Sequence, residues 1–411
     1  MKLNQGIQIG VIADDFTGAG DAASFLVKGG AKTMMYTEVP EQLEVTCDAV
    51  VLALKSRSVS PKEAIRQTKS AADFLIAHHC KAIYFKYCST FDSTPDGNIG
   101  IVADFLLEYL DLPYTLLCPS LPVNGRTVKE GALYVYGIKL SESPMKHHPL
   151  NPMWDSYLPA LMKPQSKYPC FILKKEDNLS DIVKLYTKQF AHFYLIPDYE
   201  NDEDGRWIAE QFSMLSLYTG GSGLLQFLIY QHEFMGTISN ITYKRKQKAI
   251  ILCGSCSAAT KRQVEVYRLH GGYTYAIDSK RLLQHTLVVE DIYEEVMQHN
   301  EPVLIYSDAI HQNMEELKLG DSFILESKQM EELMARLSHM AVASGIQRII
   351  VAGGETSGAV MLSLGFHGFY IGESIDPGIP ALIPIENPSL TLILKSGNFG
   401  SDQFFLKAAS I

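Results

Sequence analysis

The fold follows from residues 7–28, which read IQIGVIADDFTGAGDAASFLVK. Residues 7–13 form a short apolar, β-branched run, a polar turn follows, and residues 19–28 carry the spacing of a helix. The same order returns downstream: the sequence predicts strands at 33–36, 49–54, 81–87 and 114–120, and helices at 61–78 and 99–110. This alternation indicates a mostly parallel sheet that is covered by helices on both faces.

A second set of strand and helix units begins near residue 249. The alternation breaks between 124 and 169, where we expect loops or short antiparallel strands, and strands return at 171–175 and 191–198. A polar, basic stretch, SNITYKRKQK at 239–248, then precedes predicted strands at 249–255, 348–354 and 390–397. The sequence therefore predicts an α/β protein of two domains, 1–235 and 236–411. Each is expected to be a mostly parallel sheet with helices on both faces, with the active site in the cleft between the domains.

Composition excludes several classes of protein. The 411 residues include 46 Asp and Glu against 36 Lys and Arg, a formal net charge of −10, whereas nucleic-acid-binding proteins normally have a basic excess. No apolar stretch reaches the roughly 18 residues of a membrane span, and the first residues lack a secretory signal. The seven cysteines are scattered, and the Cys253–Cys256 pair lacks the further ligands of a zinc site. We expect a cytoplasmic protein with free thiols, without metal-ligating residues, and without a nucleic-acid or membrane partner.

Three carboxylates surround the turn after the first predicted strand: Asp14, Asp15 and Asp21. Ligands of parallel sheets bind beyond the C-terminal ends of strands. One carboxylate there could accept a hydroxyl proton or hold Mg²⁺, while the N-terminus of the following helix stabilises a phosphate. Asp14 or Asp15 could instead simply cap that helix, but three carboxylates exceed what one cap needs. We interpret the group as part of a kinase site in which Asp15 or Asp21 is the base.

Polar residues also follow the next two long strands. Arg57 follows the strand at 49–54, and Lys86 with the segment STFDST at 89–94 follows the strand at 81–87. Arg57 and Lys86 suit a substrate carboxylate, and the hydroxyl groups suit a sugar. The alternative is that Lys86 is an edge lysine whose ammonium reaches solvent, and that the hydroxyl-rich segment only caps a helix.

Three glycine-containing loops follow strands in the second half. They read CGSCSAAT at 253–260, GGETSG at 353–358 and KSGNFGS at 395–401. Glycine lets the backbone approach a phosphate closely and donate N–H groups to it, although a single such loop could be only a tight turn. Three together predict a site for nucleotide phosphates. Neither a P-loop nor a dinucleotide fingerprint occurs, which disfavours a dehydrogenase.

Four segments together resemble the four-carbon acid sugar kinase family: IGVIADDFTGAGDAA at 9–23, FKYCSTFDSTPDGNIG at 85–100, VAGGETSGAV at 351–360 and LILKSGNFG at 392–400. The resemblance covers essentially the whole chain, and the second segment is most similar to the 3-oxo-tetronate 4-kinase branch. It implies an N-terminal domain that binds the acid sugar, a C-terminal domain that binds ATP, and phosphorylation of the C4 hydroxyl of 3-oxo-tetronate. The alternatives are a D-threonate or D-erythronate kinase of the same family, or a non-catalytic sensor of a sugar acid and a nucleotide.

Residue roles also follow from the resemblance. On the sugar acid it places Asp14 or Asp15, Arg57, Lys86, Ser89, Asp92, Ser93 and Thr94. On the nucleotide it places Ser255 or Ser257, Gly353, Gly354, Glu355, Thr356 and Gly397. Whether Asp92 or Ser89 takes the position of the family's aspartate stays open, because the loop is longer here. Mg²⁺ is expected to bridge the phosphates, and a homodimer is the default assembly.

Overall fold

The computed structural model of the protein describes residues 7–43, 45–147, 151–229, 248–308 and 321–411. The chain divides into two compact units, unit 1 at 1–238 and unit 2 at 239–411. The predicted domain boundary between 235 and 236 lies outside the described residues.

Unit 1 alternates strands and helices. Its strands are β1 (Ile9–Ala13), β2 (Thr33–Tyr36), β3 (Ala49–Ala53), β4 (Ala82–Lys86), β5 (Tyr114–Leu116), β6 (Arg126–Lys129), β7 (Ala132–Val135), β8 (Ile138–Lys139), β9 (Cys170–Leu173), β10 (Phe193–Pro197) and β11 (Leu217–Gly220). Its helices are α1 (Phe16–Lys28), α2 (Pro61–Ala77), α3 (Ile99–Tyr109), α4 (Leu158–Met162), α5 (Leu179–Thr187), α6 (Asp202–Gln211) and α7 (Leu225–Ile229).

The main sheet of unit 1 has the strand order β11-β4-β1-β3-β2, and all of these pairings are parallel. Every residue of β1, β3 and β4 is buried, as expected for apolar strands with both faces covered. Helix α2 packs closely on β1, because Leu75 occupies the space where a side chain at Gly10 would project. A parallel three-stranded sheet, β5-β10-β9, and an antiparallel one, β6-β7-β8, complete the unit.

Unit 2 repeats this architecture. Its strands are β12 (Ala249–Cys253), β13 (Tyr273–Ile277), β14 (Val303–Ser307), β15 (Arg348–Ala352), β16 (Gly368–Asp376), β17 (Ile379–Pro384) and β18 (Thr391–Lys395). Its helices are α8 (Ala258–Leu269), α9 (Ser279–Leu283), α10 (Val289–Met297), α11 (Asp321–Ala343), α12 (Gly354–Leu364) and α13 (Phe404–Ser410).

The strands of unit 2 follow the order β16-β17-β18-β15-β12-β14-β13. The pairings from β18 to β13 are parallel, and the pairings of β17 with β16 and β18 are antiparallel. The core lies between these strands and helices α8 and α13, with Phe404 and Phe405 among its buried side chains. None of the helices in the described part of the chain is both long and apolar enough to cross a membrane.

The α/β class with mostly parallel sheets is confirmed, and so are the short antiparallel strands between 124 and 169. Three local features were not predicted from the sequence. Residues 217–220 form β11, and Gly220 lets this strand approach the Cys118 carbonyl. In the acidic stretch at 198–204, Asp204 is buried and completes a capping box with Asn201 at the start of α6. The hairpin of β16 and β17 turns at Gly378, whose φ is +80°.

Candidate active site

The predicted sugar-acid residues of unit 1 lie at one edge of its main sheet. Asp14 follows β1, Arg57 follows β3 and Lys86 ends β4, and these strands are parallel neighbours. The backbone joins the three positions directly. The Asp14 N–H donates to the Lys86 carbonyl at 3.1 Å, and the Arg57 N–H donates to the Asp14 carbonyl at 3.2 Å. Strand register therefore brings together residues that are up to 72 positions apart in the sequence.

Arg57 binds both aspartates that follow β1. Its Nε and Nη2 donate to the two carboxylate oxygens of Asp14 at 2.8 and 2.7 Å, and Nη2 also lies 2.8 Å from Asp15 Oδ1. Among the described residues, none accepts a hydrogen bond from Nη1. Burial raises the pKa of Asp14, and the Arg57 guanidinium opposes that rise. Nε and Nη2 of Arg57 are thus occupied by Asp14 and Asp15, while Nη1 has no acceptor among the described residues.

Asp15 is the N-cap of α1. Its Oδ1 accepts from the Gly18 N–H at 3.0 Å, and its Oδ2 accepts from the Thr17 hydroxyl at 2.8 Å. Burial opposes ionisation, but the charges of Arg57 and Lys86 and the two hydrogen bonds outweigh it and lower the pKa of Asp15. The capping role offered as an alternative is therefore real, and it does not exclude chemistry, because the side chain is still 19 % exposed.

Asp21 of α1 and Lys86 at the end of β4 form a buried ion pair. Lys86 Nζ lies 3.4 Å from Asp21 Oδ2, with side chains only 3 and 5 % exposed, and the Ser222 hydroxyl donates to the same oxygen at 2.7 Å. Within the described part of the chain Asp21 Oδ1 has no hydrogen-bond partner. Burial raises the pKa of Asp21, and the Lys86 charge opposes the rise. Lys86 is thus not a solvent-exposed edge lysine. Sequence reasoning missed Ser222, which lies in a glycine-rich loop without a specific signal.

The hydroxyl-rich segment after β4 is partly buried. Ser89 and Ser93 are buried, whereas Asp92 and Thr94 are half-buried. The Ser93 hydroxyl donates to Gln165 Oε1 at 3.1 Å, which ties this segment to the turn that follows α4. Phe91 has a left-handed φ of +48°, and its N–H closes a turn onto the Cys88 carbonyl. Ser93 is thus held by the protein, while Asp92 and Thr94 are more accessible.

Asn98 is a further residue that sequence reasoning missed. It precedes α3, yet its side chain does not cap that helix. Instead Nδ2 donates to the carbonyl oxygens of Ser56 at 2.9 Å and Val59 at 2.8 Å, which flank Arg57. A small cavity here has polar lining from Asp14, Ser56, Arg57, Ser93 and Asn98. The glycine–asparagine dipeptide that ends FKYCSTFDSTPDGN was the available signal.

The three glycine-containing loops of unit 2 also meet at one sheet edge. They follow β12, β15 and β18, which are parallel neighbours. The Gly353 N–H donates to the Lys395 carbonyl at 2.9 Å, and the Ser257 hydroxyl donates to the Gly397 carbonyl at 2.5 Å. The expected convergence of the loops is therefore present in the folded unit.

Tight backbone approach explains the glycines of these loops. Gly353 has a φ of +123°, and a Cβ at this position would lie 3.2 Å from the Ser255 nitrogen. A Cβ at Gly397 would lie 2.6 Å from the Ser255 hydroxyl oxygen. Gly354 and Glu355 are exposed in the first turn of α12, whereas Thr356 is buried. The first turn of α12 thus presents Gly354 and Glu355 to solvent.

A buried lysine lies under these loops. Lys395 is fully buried, and its Nζ donates to Thr260 Oγ1 at 3.0 Å and to the carbonyl oxygens of Ser396 and Gly397 at 3.0 and 2.9 Å. Burial lowers its pKa to about 7. Thr260 and Lys395 lie within the glycine-containing loop segments, but nothing in their spacing in the sequence indicates this contact.

Two family models match the chain. A sugar-binding N-terminal domain matches residues 9–228, and a nucleotide-binding C-terminal domain matches residues 250–405. The first range contains the three aspartates and the arginine described above (Asp14, Asp15, Asp21 and Arg57). The second range contains the three glycine-containing loops.

Curated relatives match over nearly the full length. A Salmonella typhimurium LT2 protein named 3-oxo-tetronate kinase is 40 % identical over 415 residues, covering 98 % of each chain. A Brucella melitensis protein of the same name is 37 % identical over 98 % of this chain and 96 % of its own. Among solved structures, one from Salmonella typhimurium LT2 is 39 % identical with a TM-score of 0.80 over 98 % of each chain. A Haemophilus influenzae structure is 37 % identical with a TM-score of 0.71 over 97 % of this chain and 98 % of its own.

Proposed function

The chain belongs to the four-carbon acid sugar kinase family, and on that premise we propose that it phosphorylates the C4 hydroxyl of 3-oxo-tetronate with ATP. The observation that carries the proposal is 37–40 % identity, over nearly the whole of both chains, to relatives named 3-oxo-tetronate kinase. The enzyme is a phosphotransferase with an alcohol acceptor and uses a nucleotide. We further propose that it acts in the cytoplasm as a homodimer, with an acid-sugar domain at 1–235 and a nucleotide domain at 236–411.

The edge of the unit 1 sheet suits the acid substrate. Arg57 Nη1 is available for a carboxylate oxygen, while Asp14 holds the guanidinium by its other edge and so fixes the direction of Nη1. The segment that contains Ser89, Asp92, Ser93 and Thr94 supplies oxygen atoms for the hydroxyl groups of the sugar. Lys86 adds a positive charge from below α1. These roles rest on the positions of the side chains and on the chemistry of a sugar acid.

Asp15 is the better candidate for the residue that accepts the C4 hydroxyl proton. It is more exposed than Asp21 and lies at the N-terminus of α1, where developing negative charge is stabilised. A lowered pKa is acceptable, because phosphoryl transfer relies on orientation and charge stabilisation more than on a strong base. Asp21 is buried against Lys86, which suits a residue that positions Lys86.

The loops after β12, β15 and β18 suit ATP. Gly353, Gly354 and Gly397 allow backbone approach to the phosphates. Thr356, together with Ser255 or Ser257, supplies hydroxyl groups. Glu355 is an exposed acid in the first turn of α12, where it would repel a phosphate unless a cation lay between them. Glu355 could therefore serve as a protein ligand of Mg²⁺, which when bound would neutralise negative charge on the phosphates. In the described ranges no group of three or more His, Cys, Asp or Glu side chains could hold a metal.

A coupled ADP-release assay with Mg·ATP tests the proposal. The panel contains 3-oxo-tetronates of both hydroxyl configurations, D-threonate, D-erythronate, L-threonate and a plain sugar. We expect turnover with a 3-oxo-tetronate and with none of the other compounds in the panel. Turnover with threonate or erythronate would retain the family and overturn the substrate, while no turnover across the panel would favour a non-catalytic sensor.

A further inference from the structure

Lys395 is a buried lysine that has no acidic partner among the residues that the structure describes. Its side chain is fully buried at the end of β18, and its three hydrogen-bond acceptors are the Thr260 hydroxyl and the carbonyl oxygens of Ser396 and Gly397. Lysine is rarely buried completely unless a carboxylate pairs with it, because desolvation of an unpaired ammonium costs several kcal/mol. Keeping such a residue under the proposed nucleotide loops therefore calls for a reason other than stability.

The contacts of Lys395 organise the loops around it. Gly397 O accepts from Lys395, from the Ser257 hydroxyl at 2.5 Å and from the Thr260 hydroxyl at 2.9 Å. The Thr260 hydroxyl also lies 3.1 Å from the Ser255 hydroxyl oxygen. The lysine thus joins the end of β18 to the start of α8 through a continuous set of hydrogen bonds.

We propose that Lys395 is a positioning residue for the nucleotide: its ammonium orders the loops after β12 and β18, and the negative phosphates of the bound nucleotide supply a counter-charge that no carboxylate in the described part of the chain provides. The inference rests on the proposed nucleotide site and goes beyond it by coupling nucleotide binding to protonation. A phosphate near this ammonium favours the charged form of the lysine, so binding takes up a proton whenever the free protein holds the amine neutral.

The direction of the coupling follows from the surroundings of the amine. Burial lowers the pKa of Lys395 to about 7. From β12 the Cys253 thiol faces it, and burial raises the pKa of that thiol to about 12, so the thiol stays neutral. The other neighbours of the amine are Thr260 on α8 and Ala352, which is paired with Lys395 in the sheet. Neither side chain titrates in this pH range. Nucleotide affinity should therefore be greatest below about pH 7 and should fall as the pH rises through the pKa of Lys395 in the complex.

Isothermal titration calorimetry with ADP measures this proton directly. Titrations at pH 8 in two buffers with different ionisation enthalpies give the number of protons exchanged, and ADP avoids turnover. If binding raises the pKa of Lys395 above its value of about 7 in the free protein, the wild-type protein takes up a measurable fraction of a proton per ADP. Lys395→Met should abolish the uptake, weaken ADP binding at pH 7 by about tenfold or more, and flatten its pH dependence.

Lys407→Met is the matched control. Lys407 lies in the same unit and pairs with Asp376 at 2.6 Å, so its loss should lower stability and leave proton uptake unchanged. If the wild-type protein binds ADP without taking up a proton, the inference is overturned but the proposed function is not. The same holds if Lys395→Met takes up as much proton per ADP as the wild-type protein. Absence of any nucleotide binding by wild type would overturn the proposed function together with the inference. The wild-type measurement stands even if Lys395→Met does not fold.

Discussion

Replacing Arg57 with alanine should destabilise the protein in a pH-dependent way. The substitution removes the only cation in direct contact with Asp14 among the described residues, and it leaves Asp14 and Asp15 next to each other with side chains 4 and 19 % exposed. Breaking a buried ion pair by removing one partner costs about 3–5 kcal/mol. For a unit of this size that corresponds to a fall in Tm of roughly 6–20 °C near pH 7.5.

The pH dependence has a definite sign. Burial raises the pKa of Asp14, and Arg57 opposes the rise, so loss of Arg57 raises that pKa further above its value in the unfolded chain. A carboxyl group with a raised pKa in the folded state destabilises fully above that pKa and less as the pH falls. The stability deficit of the variant should therefore be largest at pH 7–8 and should shrink toward pH 5.

Differential scanning calorimetry from pH 8 to pH 5 measures the deficit, with Arg66→Ala as the control. Arg66 pairs with Glu63 on the surface of α2, so its loss should have little effect on stability at any pH. In kinetics, Arg57→Ala should raise the KM for the sugar acid about 10- to 100-fold and leave the KM for ATP unchanged. An equal stability deficit at every pH, or an effect on the KM for ATP alone, would refute the reasoning.

Three further substitutions test the assigned roles. Asp15→Asn keeps a good N-cap for α1 but loses the charge, so kcat should fall about 100-fold or more while ATP affinity stays the same; unchanged turnover would remove Asp15 from the mechanism. Gly354→Val places a branched side chain in the exposed first turn of α12 and should abolish ATP binding as measured by calorimetry. The control Leu362→Val, on the same helix, should leave ATP binding unchanged. Normal ATP affinity in the glycine variant would contradict the loop assignment. Asn98→Ala releases the carbonyl oxygens that flank Arg57 and should raise the KM for the sugar acid about tenfold. The control Asn178→Ala removes an ordinary helix cap and should affect stability alone. Equal KM values in the two variants would make Asn98 purely structural.

The order of strands and helices could be read from the sequence because apolar runs and their spacing are local signals. Asp14 and Gly353 were predicted as site residues because each directly follows a predicted strand, and ligand sites of parallel sheets lie beyond the C-terminal ends of strands. Strand β11 was missed because a short run that ends in glycine resembles a loop, and because its pairing partner, β4, lies more than a hundred residues away in the sequence.

Partners of the site residues were not predictable from local patterns. Ser222 reaches Asp21 across 201 positions, and Lys395 reaches Thr260 across 135. Asn98 looks like a helix cap in sequence, yet its amide binds the chain on either side of Arg57. Such contacts depend on strand order and register, which the sequence implies only after the sheet has been assembled.

The use of Arg57 by the protein itself has a consequence for inhibitor design. Two nitrogen atoms of the guanidinium are occupied by Asp14 and Asp15, which leaves Nη1 for a ligand. A compound that presents two anionic oxygens to Arg57 gains nothing from the second oxygen unless it displaces Asp14 or Asp15 from the guanidinium. A compound with one well-placed anionic oxygen should therefore bind Arg57 as tightly as an analogue with two, and further polar groups of an inhibitor are better placed elsewhere on the scaffold.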